Sequence, residues 1–193
     1  MDVKLIIEHD QDTESPNTYE NWKLVSFNRR HTSFADPYEY LLPPDEYGEP
    51  VPANIGIRRK LKTGTAFILS YFEHGLCQWG LKGETHNCQW DTARIAGLLF
   101  WEGKPKELPK SYEERKEWAR SFLKEYTDWC NGNCYYFRIE DMDGNILDSC
   151  GGFIGDDGLA DNIKGNLGDE YNIVAIEGEA ADAIDLEDFQ KVA

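Results

Sequence analysis

No stretch of this chain stays apolar for the roughly 20 residues that a membrane-spanning helix needs. Positive charge is scarce: 20 Lys+Arg stand against 36 Asp+Glu, a formal net charge of −16 over 193 residues. Binding DNA or RNA through their phosphates demands a Lys/Arg surface, so direct nucleic-acid binding is not expected. The five cysteines are an odd number, which suits a reducing compartment better than a disulfide framework. The opening MDVKLIIEHDQD has neither the basic flank nor the small-residue cleavage site of a secretory signal, so a cytoplasmic location is expected. There is no Walker loop, dinucleotide fingerprint, metalloprotease helix or internal repeat, and no cofactor is implied.

What the chain has is apolar and aromatic substance with unevenly placed charge. Forty per cent apolar and 13% aromatic residues suffice for a packed core, so the acidity does not signal wholesale disorder. From Glu140 to Ala193 there are 15 acids against two lysines, a net of −13; residues 1–139 carry 21 acids and 18 bases, a net of −3. A near-neutral body with an acidic C-terminal quarter points towards a basic partner.

Hydrophobic patterning predicts strands at Val3–Glu8 and Trp22–Phe27, a hairpin from Thr65–Phe72 and Leu76–Leu81 turning at Gly75, and strands at Cys134–Glu140 and Tyr171–Ile176. Ile95–Trp101 reads as a buried strand or a short helix, which periodicity alone does not separate. Ser111–Trp129 reads as the main helix: Ser111 and Glu114 form a capping box, and Trp118, Phe122, Tyr126 and Trp129 make one aromatic stripe, best read as core. Asp143-Gly144-Asn145 is a turn from which Ile146–Cys150 returns antiparallel. Thr32–Asn54 is a long Pro- and Tyr-rich irregular stretch. Leu159–Leu167 reads as a short helix, and Ala180–Val192 as an acidic one. The sum is an α+β protein, mostly antiparallel sheet with one main amphipathic helix at about 111–129, arranged as a body (1–157) and an acidic C-terminal extension (158–193) packed on it.

The acids expected to carry binding are Asp156, Asp157, Asp161, Asp169, Glu170, Glu177, Glu179, Asp182, Asp185, Glu187 and Asp188. Interleaved Tyr171, Ile173, Val174 and Ile176 suggest that they are displayed on a folded element, where they would imitate a phosphate backbone or dock in a basic groove; the plainer reading is a solubilising surface. A second candidate site gathers His74, Trp90, Asp91 and Cys150, with Cys77 and Cys88 nearby. A Cys150 thiolate beside flexible Gly amides would be a nucleophile if His74 served as its base, yet Asp148 opposes the thiolate. His74-x-x-Cys77, His86-x-Cys88 and Cys130-x-x-x-Cys134 offer zinc-type donors, but none has a strong zinc spacing and no metal is assigned. Asp141, Asp143, Asn145 and Asp148 look like a calcium loop until their strand-like flanks make them a hairpin turn. Arg58-Arg59-Lys60-x-Lys62 is a small basic patch.

Several blocks resemble a family of uncharacterised proteins encoded by bacteriophages and plasmids: LIIEHDQDTESP with the later FNRRH, ILSYFEHGL, CQWDTARIAGLLF, and YYFRIEDMDGNILDSCGGFIGD. The order and spacing agree over about residues 3–156; the tail after Asp157 lies outside the resemblance. It implies no activity, only origin in a mobile element expressed in a bacterial cytoplasm. The resulting expectation is a non-enzymatic inhibitor of a host nucleic-acid-binding defence complex, of anti-CRISPR or anti-restriction type, whose partner is a basic nucleic-acid-binding protein and not a membrane. The alternatives are a small-molecule, metal or Cys-dependent enzyme at His74/Asp91/Cys150, or a regulatory module binding a protein through the aromatic stripe and the Pro/Tyr-rich loop.

Overall fold

The structure is a computed structural model that describes residues 1–168 and 170–189. In chain order its elements are β1 (Asp2–His9), α1 (Pro16–Tyr19), β2 (Trp22–Ser26), β3 (Leu41–Leu42), β4 (Val51–Pro52), α2 (Ile55–Thr63), β5 (Ala66–His74), β6 (Leu76–Leu81), β7 (Thr92–Trp101), α3 (Tyr112–Cys130), β8 (Cys134–Glu140), β9 (Ile146–Ile154), α4 (Leu159–Asn166) and β10 (Asn172–Glu177). The fold class is α+β with largely antiparallel sheets. The chain forms two compact units: a terminal unit of Met1–Ser15 with Asp128–Ala193, and a central unit of Pro16–Thr127.

The terminal unit is a four-stranded sheet in the order β10-β1-β8-β9. Strand alternation puts Val3, Leu5 and Ile7 of β1 and Tyr135, Phe137 and Ile139 of β8 in its core. The opposite face carries Lys4 and Glu8 paired with Glu140 and Tyr136. Residues from 158 onward belong to this same core: Leu159 and Ile163 of α4, Ile173 of β10, and Ala180 and Ile184 beyond it are all buried there. β10 runs parallel to β1, with Asp2 opposite Asn172 and Ile6 opposite Glu177. Past β10, Gly178 at φ +109° lies so close to Ile7 that an added Cβ would stand 2.1 Å from its carbonyl oxygen, and Ala180 N–H donates to that same oxygen at 3.2 Å.

The expected helix at Ala180–Val192 is not found. Its described part is two 3-10 turns, Ala181–Ala183 and Leu186–Phe189, separated by Ile184 in extended conformation, φ −145° and ψ 155°. Burying Ala180, Ile184, Leu186 and Phe189 against the sheet overrides a helical pattern dense in like charges. Residues 190–192 of that expected helix lie outside the described residues.

The central unit is a sheet in the order β2-β7-β5-β6. Thr92–Trp101 is a strand, which settles the ambiguity of Ile95–Trp101: it is the inner strand between β2 and β5. Gly97 is needed there, because a Cβ would lie 2.2 Å from the Val25 carbonyl oxygen. Helix α3 covers one face, its Tyr112, Trp118 and Tyr126 meeting Phe67, Trp101 and Trp79. The capping box forms: Glu114 N–H donates to Ser111 Oγ at 3.2 Å, and the Ser111 N–H donates back to Glu114 at 3.2 Å. The other face packs Leu41, Ala66, Leu98 and Phe100 with Leu61 of α2. That helix is absent from the sequence expectations, although Asn54 caps it by accepting from Ile57 N–H at 3.0 Å and Gly64 ends it at φ +68°.

The aromatic stripe is core only in part. Phe122 and Tyr126 are buried, whereas Trp118 is 47% exposed. Trp129, in the terminal unit, donates its indole N–H to the Thr13 carbonyl at 3.0 Å.

Candidate functional site

The acidic surface of the terminal unit is built by alternation and by helical spacing. Along β10 Ile173 turns inward and Asn172, Val174 and Glu177 outward. In α4 Leu159 and Ile163, four apart, face the core, which leaves Asp161 outside. Every described candidate acid is exposed: Asp156, Asp157, Asp161, Glu170, Glu177, Glu179, Asp182, Asp185, Glu187 and Asp188. Asp169 lies outside the described residues.

Net charge follows the unit boundary more sharply than it follows the chain. The terminal unit has 21 acids against Lys4, Arg138, Lys164 and Lys191, a net of −17; the central unit has 15 acids against 16 bases, a net of +1, and the two sum to −16. Each described base of the terminal unit already has an acid: Lys4 meets Glu177 at 2.8 Å, Arg138 meets Glu8 and Glu140 at 2.7 Å each, and Lys164 meets Asp161 at 3.2 Å. The unit's net charge stays strongly negative and sets up a negative field around it.

Two residues tie this surface to the sheet. The Tyr135 hydroxyl donates to Asp156, and burial first, then that bond, holds the phenol well above its usual range. The amino terminus donates to the Glu170 carbonyl at 2.6 Å. The N-terminal acids Asp2, Glu8, Asp10, Asp12 and Glu14, and Asp128, join the same unit. Counting charge by stretch of chain missed them; the acid-rich sequence flanking the first strand was the available signal.

No family model matches this chain. No curated protein and no solved structure matches it either.

The second candidate site assembles in part. In the central unit, β5 ends at His74, and its Nδ1 pairs with Asp91 Oδ2 at 3.2 Å. The Cys88 thiol donates to the same oxygen at 3.4 Å. The Asp91 carbonyl accepts from Glu73 N–H at 3.1 Å, which ties this loop to the strand end. Trp90 is beside it, 86% exposed. The carboxylate sits between thiol and imidazole, so the thiol proton is aimed at Asp91 and the geometry is not a thiol–imidazole dyad. Cys150 belongs to β9 of the terminal unit, where its thiol lies 3.9 Å from the Gly151 carbonyl. The expectation of Cys150 as nucleophile with His74 as base joins residues of two different units, and within the central unit Asp91 holds the Nδ1 side of the His74 ring.

Among the described residues no group of three or more His, Cys, Asp or Glu side chains is placed to hold a metal ion. The Asp141 loop is a hairpin turn, as its flanks indicated. Asp141 accepts from the backbone of Asp143 and Asn145 at 2.9 Å each and from the Asn145 amide at 2.7 Å. Those bonds hold its carboxyl below the usual range. The basic run lies on α2, with Lys60 Nζ 5.1 Å from the centre of the Phe100 ring. No helix among the described residues is long and apolar enough to cross a membrane.

Proposed function

We propose that this protein is a phage- or plasmid-encoded inhibitor of a host nucleic-acid-binding defence complex, of anti-CRISPR or anti-restriction type, acting in the bacterial cytoplasm without catalysis. The observation that carries the reading is the terminal unit's net charge of −17, with its described candidate acids exposed on segments whose apolar residues pack into the unit's core. A nuclease or nucleic-acid-binding complex presents a basic groove that attracts phosphates; a rigid array of carboxylates competes for that groove by the same electrostatic term. Rigidity matters, because a pre-ordered surface loses less entropy on docking than a flexible acidic segment. The phage and plasmid resemblance supports the biological setting, in which blocking a host nuclease benefits the mobile element.

The test is charge reversal in the folded protein. Glu179, Asp182, Asp185 and Glu187 are exposed, and their joint replacement by Lys changes the local charge by eight units without touching the core. Capture of the partner from a bacterial lysate is expected to disappear with this variant. For the unaltered protein it should weaken strongly as salt is raised past the point where the Debye length falls to about 3 Å. Capture of the same partner by the reversed variant, at the same salt, would sink the electrostatic mechanism.

A further inference from the structure

The central unit holds a cavity of about 250 Å³ at the open end of its tryptophans. Its walls include Trp22 of β2, Trp101 of β7, Trp118 and Phe122 of α3, and the acidic residues Glu20 and Glu125; no basic residue is among the described lining residues. Trp22 and Trp101 are directly opposite in the β2–β7 ladder. Their rings stand edge to face with centroids 5.3 Å apart, and Trp118 continues the series 6.2 Å from Trp101. Trp22 is 2% exposed and Trp118 47%, so the series runs from core to solvent. Glu125 is fixed by the Tyr19 hydroxyl, which donates to it at 2.6 Å.

We propose that this cavity binds an arginine residue of a protein partner, taking its guanidinium head. Aromatic faces attract cations, and the two carboxylates neutralise the charge. A planar guanidinium stacks on indole and bonds carboxylate in a fork, which an ammonium does not do. An anion would face Glu20 and Glu125, and an apolar ligand would leave their negative charge unneutralised. The inference rests on the central unit alone and stands or falls independently of the acidic surface.

The test is a titration of full-length ¹⁵N-labelled protein with Nα-acetyl-arginine N-methylamide, following the six indole N–H signals. Capped alanine and guanidinium chloride serve as separate probes. The expected result is saturable movement of the Trp22, Trp101 and Trp118 signals with capped arginine, and little movement with capped alanine. The Glu20→Gln/Glu125→Gln double variant keeps an acceptor for Tyr19 and should bind about tenfold more weakly. Three outcomes would overturn the proposal. These are no movement at saturating probe, equal movement of the exposed Trp90 signal, or guanidinium chloride binding as tightly as capped arginine, which would mean a site for free cations.

Discussion

Glu8 and Tyr136 stand opposite each other in the β1–β8 ladder, and the tyrosine hydroxyl donates to the carboxylate. That bond first, and Arg138 second, hold the Glu8 carboxyl below its usual range. The same bond raises the Tyr136 phenol. The signs follow from linkage. A carboxyl depressed in the folded state contributes stability above its unfolded pKa, lost as pH falls through the folded value. A phenol raised in the folded state contributes stability below its unfolded pKa, lost as pH rises through the folded value. Tyr136→Phe should therefore be less stable than the parent by a margin that is widest between about pH 5 and 9. The margin should narrow below about pH 4 and again above about pH 10, around the ordinary Glu and Tyr values. Urea denaturation midpoints across pH check this; a margin independent of pH would show that the bond does not couple the two titrations.

At the scale of elements, the acidic extension is structural before it is functional. Leu159, Ile163 and Ile173 are buried with Val3, Leu5 and Ile7 in one core. Ile163→Ala should cost about 2–5 kcal/mol, as large-to-small changes in a core do, measured by denaturant unfolding. Deleting residues 158–193 removes an entire strand and those side chains, each worth about 1.5–3 kcal/mol of burial. The sum rivals the about 5–15 kcal/mol that holds an ordinary domain together. The deletion variant should lose hydrogen-exchange protection throughout β1 and β8. Retained protection would mean that the sheet does not need β10. A truncation is thus a poor probe of the acidic surface, and charge reversal is the sound one.

The same elements show what could be read from the sequence. Helix α3 was legible because its cap and apolar spacing are local. The β5–β6 hairpin and the Asp141 turn were legible for the same reason: glycine and Asx chemistry declare a turn within a few residues. The parallel pairing of β10 with β1 was not, since it joins residues about 170 positions apart, and local periodicity carries no partner information. Helix α2 was not legible because only Ile57 and Leu61 supply its inward spacing between basic residues, too short a pattern to declare a helix despite Asn54 and Gly64 at its ends. Of the candidate sites, the outward display of the acids was foreseen from the interleaved Tyr171, Ile173 and Ile176. The tryptophan cavity was not foreseen, because Trp22, Trp101 and Trp118 are brought together only by the β2–β7 ladder and the docking of α3.

At the scale of the molecule, one unit carries a net charge of −17 and the other +1. That separation leaves the central unit free to make contacts of a different kind, whereas the terminal unit presents a field felt over about a Debye length, roughly 8 Å at physiological salt. The central claim is that this field occupies the place of nucleic acid on a basic partner. The most direct measurement is displacement of a fluorescent duplex from the complex captured by the protein, followed as the protein is titrated in. The account predicts full, competitive displacement by the unaltered protein, with an apparent affinity that falls as duplex concentration rises. It also predicts none by the Glu179→Lys/Asp182→Lys/Asp185→Lys/Glu187→Lys variant. Simultaneous binding of protein and duplex to the same complex, or equal displacement by the reversed variant, would contradict it.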